Sequence, residues 1–186
     1  GYNTAVGTQA GAAVTTGVNN TLIGGLAGDA LTDADHNTAM GSGALTSDTL
    51  GSRSTAIGAG ALTFQNFTSA TATYNTAVGY DAGNSVTTGQ YNTIIGSLAG
   101  DALTDSDQNV AIGYNALTAD TLGRKSVAIG ASALKSQNFT SETSTYNVAI
   151  GSDAGQAVTT GVQNVIVGGL AGDALTVGTR NVVLGT

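Results

Sequence analysis

Small, polar and apolar residues alternate along the chain in a short block that always ends in glycine. Residues 2–7 read YNTAVG, residues 74–79 repeat those six letters and residues 146–151 read YNVAIG, so a long unit recurs every 72 residues. Inside it the block restarts after 17, 17, 17 and 21 residues. The eleven starts are Asn3, Asn20, Asn37, Ser54, Asn75, Asn92, Asn109, Ser126, Asn147, Asn164 and Asn181. Such self-similarity is typical of a repeat protein with one block per coil.

Each block predicts a short β-strand. Its second to fourth residues, as in Thr4-Ala5-Val6, are small or β-branched, the fifth is always Gly, and no apolar stripe follows the 3.6-residue period of a helix. Stacked coils would place these strands in parallel register, about 4.8 Å apart. Because a strand has a period of two, the second and fourth residues share one face, which we expect to point inward as the larger of the two. The predicted fold is all-β, a parallel β-solenoid of about eleven 17-residue coils, every fourth coil having 21 residues.

The third residue of each block would then point outward. It is Ala in most coils, but in the second coil of each long unit it is Leu22, Ile94 or Ile166. A periodic row of large apolar side chains on a surface favours a partner chain over solvent. We therefore predict that these three residues lie in an interface between chains. The alternative is that the alanine face is simply a tolerated surface.

Composition excludes several classes of protein. Charged residues make up 9% of the chain, aromatic residues 5%, and there is one Met and no Cys, so neither a thick apolar core nor a disulfide or thiolate metal site is expected. The net charge of −7 disfavours nucleic acid and anionic membranes as partners.

The array runs through residues 1–186 as long units 2–73, 74–145 and a truncated 146–186. We interpret the chain as a fragment of a longer one.

The fourth coil of each complete unit carries four extra residues, which must leave the regular path. They would present Phe67 and Phe139 beside amide side chains, where an aromatic ring could stack on a sugar. These two residues are the candidate glycan or receptor site. In the alternative interpretation, each Phe covers its own coil or contacts a neighbouring chain.

Alternating carboxylates are the candidate metal ligands. Asp33 with Asp35, and Asp105 with Asp107, have the spacing with which Ca²⁺ loops begin. They lack the Gly and the bidentate Glu that complete such a loop, so we expect solvated turns and no metal or other cofactor. Catalysis is not expected, because the sole histidine, His36, is replaced by Gln108 and Arg180 in the later units.

The block also carries a family resemblance. Residues 75–83 read NTAVGYDAG and residues 126–130 read SVAIG. They resemble the head repeats of trimeric autotransporter adhesins and the Asn-Thr-Ala-Ile-Gly repeats of bacteriophage tail fibres and tail spikes. The resemblance implies a left-handed parallel β-roll with three chains side by side. The coils are longer than those of the adhesin heads, and the chain shows neither the neck, stalk or anchor of an adhesin nor the chaperone domain of some phage fibres.

Together these features predict a structural fibre segment and not an enzyme. We expect an extracellular, cell-surface or virion-tail location, a homotrimer, and attachment to a cell surface or host receptor carrying glycan, without membrane contact in this segment. An ice-binding solenoid is the alternative, because threonine recurs at the second strand position from Thr4 to Thr93. An inward-facing threonine row would argue against ice binding.

Overall fold

The computed structural model describes residues 1–185, which form a parallel β-solenoid of eleven coils. The strands are β1 (Thr4–Val6), β2 (Thr21–Ile23), β3 (Thr38–Met40), β4 (Gly51–Ser52), β5 (Thr55–Ile57), β6 (Thr71–Ala72), β7 (Thr76–Val78), β8 (Thr93–Ile95), β9 (Val110–Ile112), β10 (Gly123–Arg124), β11 (Val127–Ile129), β12 (Thr143–Ser144), β13 (Val148–Ile150), β14 (Val165–Val167) and β15 (Val182–Leu184). Residues 1–185 contain no helix.

Eleven of the strands, one per coil, form a single continuous sheet. Its register follows the repeat: Thr4 pairs with Thr21 at a step of 17, and Thr55 pairs with Thr76 at a step of 21. The sequence-based prediction of a parallel, in-register sheet is confirmed. The extra residues of the long coils add two small parallel pairs, β4 with β6 and β10 with β12, which the sequence pattern did not predict.

The inward face of the sheet is the opposite of the one expected. In the nine inner strands of the large sheet the third residue of the block, which is the middle residue of the strand, is buried in the interior, whereas the second and fourth residues point outward. The cause is the inward-pointing polar residue that begins each coil, which is Ser at Ser54 and Ser126 and Asn in the other coils. In Asn20 the side-chain amide donates to the Ala34 carbonyl oxygen (2.7 Å), and Oδ1 accepts from the Asn37 backbone N–H (2.9 Å). An inward first residue makes the third residue inward as well, since side chains alternate along a strand.

The interior is narrow, and side-chain volume is traded between its walls. Where the third residue is large, as in Leu22, the ninth residue of the coil is Gly28, and a Cβ there would lie 2.8 Å from Leu22 Cδ2. Where the third residue is Ala, as in Ala39, the ninth can be a buried leucine, Leu45. This trade explains why one block tolerates Ala, Leu and Ile at the same strand position.

The twelfth residue of each coil divides the coils into two kinds. In the apolar coils it is Val or Leu, and in the polar coils it is Asp or Gln. The apolar coils begin at Asn3, Asn20, Asn75, Asn92, Asn147 and Asn164, and the polar coils begin at Asn37, Ser54, Asn109 and Ser126. Each complete long unit therefore contains two apolar coils followed by two polar coils.

The glycine that ends each strand lies at a corner where neighbouring backbones meet. Gly24 has a φ of +131°, and a Cβ on it would lie 2.6 Å from the Gly41 carbonyl oxygen. Both the positive φ and the close approach exclude a side chain. The fifth position therefore has to be glycine in coil after coil.

Candidate functional site

The outward side of the eleven-stranded sheet is a regular surface that includes one strand from every coil. It consists of the second and fourth residues of each block, which are the first and last residues of each three-residue strand. We call this surface the outward face. Its second-position row is Thr4, Thr21, Thr38, Thr55, Thr76, Thr93, Val110, Val127, Val148, Val165 and Val182. Its fourth-position row is Val6, Ile23, Met40, Ile57, Val78, Ile95, Ile112, Ile129, Ile150, Val167 and Leu184.

The outward face is mostly apolar, and it is accessible even in the middle of the sheet. Met40, Ile95 and Ile150 lie on strands paired on both sides, yet they expose 38%, 37% and 39% of their surface. No charged residue belongs to either row. Because the register is constant, the two rows run straight along the solenoid axis.

The residues assigned to a chain interface from the sequence lie elsewhere. Leu22, Ile94 and Ile166 are each 0% exposed within a single chain and belong to its core. Their assignment to an interface is wrong, because the inward-pointing residue that begins each coil makes the third residue of the block point inward as well. The signal that could have found this was already in the sequence, since an inward Asn two residues earlier sets the direction of the third residue.

The two phenylalanines proposed for sugar stacking are buried. Phe67 is 6% exposed and Phe139 is 7% exposed, so neither ring offers a face to a ligand. The Phe67 backbone N–H donates to Asp48 Oδ1 (3.1 Å), and its carbonyl oxygen accepts from the Thr49 hydroxyl (2.9 Å). The glycan site predicted at Phe67 and Phe139 is therefore wrong, because both rings are buried within a single chain.

A buried hydrogen-bond network holds each long coil in place. Asp48 is 0% exposed, and its Oδ1 accepts from the backbone N–H groups of Gly51 (2.9 Å) and Phe67 (3.1 Å). Its Oδ2 accepts from Gln65 Nε2 (2.6 Å), and Gln65 Oε1 accepts from Asn75 Nδ2 (2.9 Å). Asp120 and Gln137 repeat the arrangement in the second long unit.

No cation neutralises the Asp48 carboxylate within the described residues. Burial raises its pKa above the ordinary 3.8, and the hydrogen bonds from Gln65, Phe67 and Gly51 oppose that rise. The carboxylate is fully occupied as an acceptor and has no access to solvent. Its hydrogen bonds join two neighbouring coils of the chain, which gives it a structural role.

The alternating aspartates lie on the surface near the long coils. Asp33 Oδ1 accepts from the Thr16 hydroxyl (2.6 Å), and Asp35 Oδ1 accepts from the Val18 backbone N–H (2.8 Å). In the next unit, Asp105 and Asp107 face the Arg124 guanidinium. Residues 1–185 contain no group of three or more His, Cys, Asp or Glu side chains suited to a metal ion.

A cavity of about 210 Å³ adjoins Asp35 in the first long unit. Its lining comes from three successive coils, and the other lining residues are His36, Ser52, Arg53, Ala70, Thr71 and Ala72. The residues 72 positions later include Arg124 and Glu142 in place of Ser52 and Ala70. The sequence pattern did not indicate this cavity, because its walls are brought together only by the stacking of coils.

The residue before each starting asparagine forms a second exposed column. It adopts a left-handed backbone conformation in coil after coil, for example Tyr74 (φ 52°) and Tyr91 (φ 59°). These two rings stack with centroids 5.5 Å apart. Further along, Lys125 donates to the Tyr146 hydroxyl (3.2 Å), and this hydrogen bond lowers the pKa of Tyr146 below its usual 10.0.

No family model, curated protein or solved structure matches this chain. In the part of the chain that the structure describes, no helix is long and apolar enough to cross a membrane. The candidate sites therefore stand on the geometry of the solenoid itself.

Proposed function

We propose that this chain is a structural segment of an extracellular or virion-borne fibre, in which three copies associate through their outward faces and support attachment to a cell surface or host receptor. The observation that carries the proposal is the outward face, two uncharged and mostly apolar rows that extend over eleven strands. The resemblance of the repeat to adhesin heads and phage fibres supplies the number three. The proposal thus assigns the interface to the second and fourth residues of each block, which form the outward face.

The size of the outward face suits association between chains. Ten strand-to-strand steps of about 4.8 Å give a length of roughly 50 Å, and three residues give a width of about 10 Å. The resulting area, on the order of 500 Å², lies near the upper end of the largest apolar patches on monomeric proteins. It is a large part of the ~800 Å² that each partner contributes to a stable interface.

The interior suits a role in bearing load along the axis. Backbone hydrogen bonds join every coil to the next, as from Thr4 to Asn20 and from Thr21 to Asn37 (both 2.8 Å). The buried asparagine side chains add a second ladder, with Asn92 bonded to Asn75 and Asn109 bonded to Asn92 (both 2.9 Å). Two ladders that run along one axis resist bending and local opening.

The mass of the purified chain in solution, measured by light scattering, tests the proposal. A mass near three times the 18.1 kDa of one chain is expected. The double variant Ile112→Lys/Ile129→Lys should then shift to one chain mass, because charges in the middle of the outward face would lose their solvation in an interface. Both side chains are half-buried in a single chain, so its fold should tolerate the change.

The double variant Thr88→Lys/Thr160→Lys is the matched control, since it adds the same charge at exposed corners away from the outward face. It should keep the wild-type mass. A wild-type chain that stays monomeric at high micromolar concentration, or a control that dissociates equally, would contradict the assignment of the outward face as the interface.

Ice binding is the second candidate, and one observation favours it. The threonine row from Thr4 to Thr93 points outward on a regular sheet, whereas an inward row would have excluded this function. Valine replaces threonine from Val110 onward, so any such surface would be confined to the first six coils. Thermal hysteresis of the purified chain tests it directly. The two candidates compete for one surface, because a trimer would cover the face that ice must contact.

A further inference from the structure

The two complete long units differ at one surface notch between neighbouring coils. In the first unit the notch is lined by Asp35, Ser52 and Ala70, and Asp33 lies two residues before Asp35 in the chain. In the second unit the corresponding residues are Asp105, Asp107, Arg124 and Glu142. The backbone around both is the same, with strand pairs β4–β6 and β10–β12 in equivalent register.

In the second unit the notch holds the guanidinium group of Arg124. Its Nη2 lies 3.2 Å from Glu142 Oε2 and 3.9 Å from Asp105 Oδ2, and its Nη1 lies 3.5 Å from Asp107 Oδ2. Nη2 also donates to the Asp105 carbonyl oxygen (3.2 Å). Three carboxylates and one carbonyl thus surround one planar cation, a geometry that suits guanidinium better than ammonium.

In the first unit two of the three carboxylates are kept, as Asp33 and Asp35, whereas Ala70 replaces Glu142 and Ser52 replaces the cationic Arg124. Asp35 is oriented as Asp107 is, because Oδ1 of each accepts a backbone N–H at 2.8 Å, from Val18 and Gln90 respectively. Asp35 Oδ2 therefore corresponds to the oxygen that contacts Arg124. Within residues 1–185 it has no hydrogen-bond or ion-pair partner, and it borders the 210 Å³ cavity that lies beside Ser52 and Ala70.

The neighbouring cation does not occupy this space. Arg53 lines the cavity, but its guanidinium lies over the Tyr74 ring (5.7 Å) and donates to the Tyr74 hydroxyl (3.3 Å). Lys125 and Tyr146 form the same pair in the second unit (5.1 Å and 3.2 Å), beside the bound Arg124 side chain. The second unit therefore shows that a guanidinium can bind next to such a cation.

We propose that the notch of the first unit is a binding site for a guanidinium group supplied from outside the chain. Asp35 provides the anionic acceptor that lines the cavity, and Asp33 adds a second negative charge two residues away. The space beside Ser52 and Ala70 admits the planar cation that Arg124 supplies internally in the second unit. The site is independent of the proposed assembly, since none of these residues belongs to the outward face.

Titration of the ¹⁵N-labelled full chain with ethylguanidinium chloride, followed by TROSY spectra, tests the site. Saturable shifts are expected at the amides of Asp35, Ser52 and Ala70, with a dissociation constant on the order of 1–20 mM, because ion pairs near solvent are weak. The corresponding amides of Asp107, Arg124 and Glu142 should not shift, since Arg124 fills that notch. A titration with sodium chloride at the same concentrations is the reference for the effect of ionic strength.

Exchanging the two notches supplies matched variants. The double variant Ser52→Arg/Ala70→Glu copies the second unit and should abolish the saturable shifts in the first. The reciprocal variant Arg124→Ser/Glu142→Ala should create them in the second. Asp35→Asn, which retains an acceptor oxygen for the Val18 amide, should weaken binding about five-fold.

A second probe, the peptide acetyl-Gly-Arg-Gly-amide, identifies the source of the guanidinium. Binding of both probes supports an arginine side chain of a partner protein, and binding of ethylguanidinium alone supports a free small cation. Linear, unsaturated shifts at both notches would overturn the proposal. Saturable shifts with calcium chloride but not with ethylguanidinium would overturn it in favour of a metal site.

Discussion

The apolar and polar coils follow a similar backbone path, but their buried twelfth residues differ in chemistry. In the apolar coils the twelfth residue, such as Leu31 or Leu103, is a buried hydrocarbon that packs beside a glycine. In the polar coils it is Asp48 or Gln65, equally buried but satisfied by hydrogen bonds. The apolar closure needs only neighbouring coils in register. The polar closure adds specific partners, and these fix the four extra residues of the long coil.

The polar coils should therefore be more sensitive to single substitutions than the apolar coils. A buried apolar side chain keeps most of its stabilising free energy when its neighbours shift by a fraction of an ångström. A buried donor that is deprived of its acceptor loses the whole free energy of its hydrogen bond.

Asp48→Ala should lower the free energy of unfolding by about 3–6 kcal/mol. Three buried donors, the N–H groups of Gly51 and Phe67 and the amide of Gln65, lose their acceptor, and each costs about 1–3 kcal/mol, less than additively. Urea denaturation monitored by circular dichroism measures the change. Asp33→Ala removes an exposed carboxylate and should change stability by less than about 0.5 kcal/mol. Equal effects of the two variants would show that the network is unimportant.

Leu103→Ala should lower the free energy of unfolding by about 2–5 kcal/mol, because it leaves a cavity in an apolar coil. The same denaturation experiment applies. Val177→Ala, at a position with 65% exposure, is the control and should have almost no effect. A loss for Leu103→Ala that exceeds the loss for Asp48→Ala would reverse the proposed order of the two kinds of coil.

The pH dependence of stability should distinguish the polar coils. Since burial raises the pKa of Asp48 in the folded state above 3.8, the folded chain binds a proton more readily than the unfolded chain between these two pKa values. This carboxyl therefore contributes more stability as the pH falls through that window. Thermal unfolding of wild type and Asp48→Asn between pH 7 and 4 should show a difference that grows in favour of wild type at low pH. A constant difference would exclude the raised pKa.

The smallest effect is expected on the surface of a polar coil. Arg124→Ser/Glu142→Ala removes the ion pairs of Arg124 with Glu142, Asp105 and Asp107, which lie partly in solvent, and should cost less than about 1 kcal/mol. Arg124 Nε is buried without a hydrogen-bond partner, which reduces the net value of these pairs further. A loss as large as that of Asp48→Ala would place the stability of the long coil at its surface instead of its interior.

Much of the fold could be predicted from the repeat. The coil lengths, the parallel register and the corner glycines follow from one residue pattern, because each coil contacts only its neighbours. The orientation of the strand was predicted wrongly from the size of its side chains, although Asn20 and its equivalents carried the contrary signal. The burial of Phe67 was foreseen as an alternative, whereas the sugar site at Phe67 and Phe139 was not confirmed.

By itself, the sequence determined that this protein is a parallel β-solenoid of eleven coils, because a strict repeat places equivalent residues at equivalent positions along one axis. Only the tertiary structure decided which strand residues face outward and which surfaces meet across coils. Ser52 and Ala70 lie 18 residues apart in the chain, and Asp35 belongs to another coil, yet the three line one cavity. Facing direction and cavities depend on how coils pack against each other, and a periodic pattern contains only the order of residues within each coil.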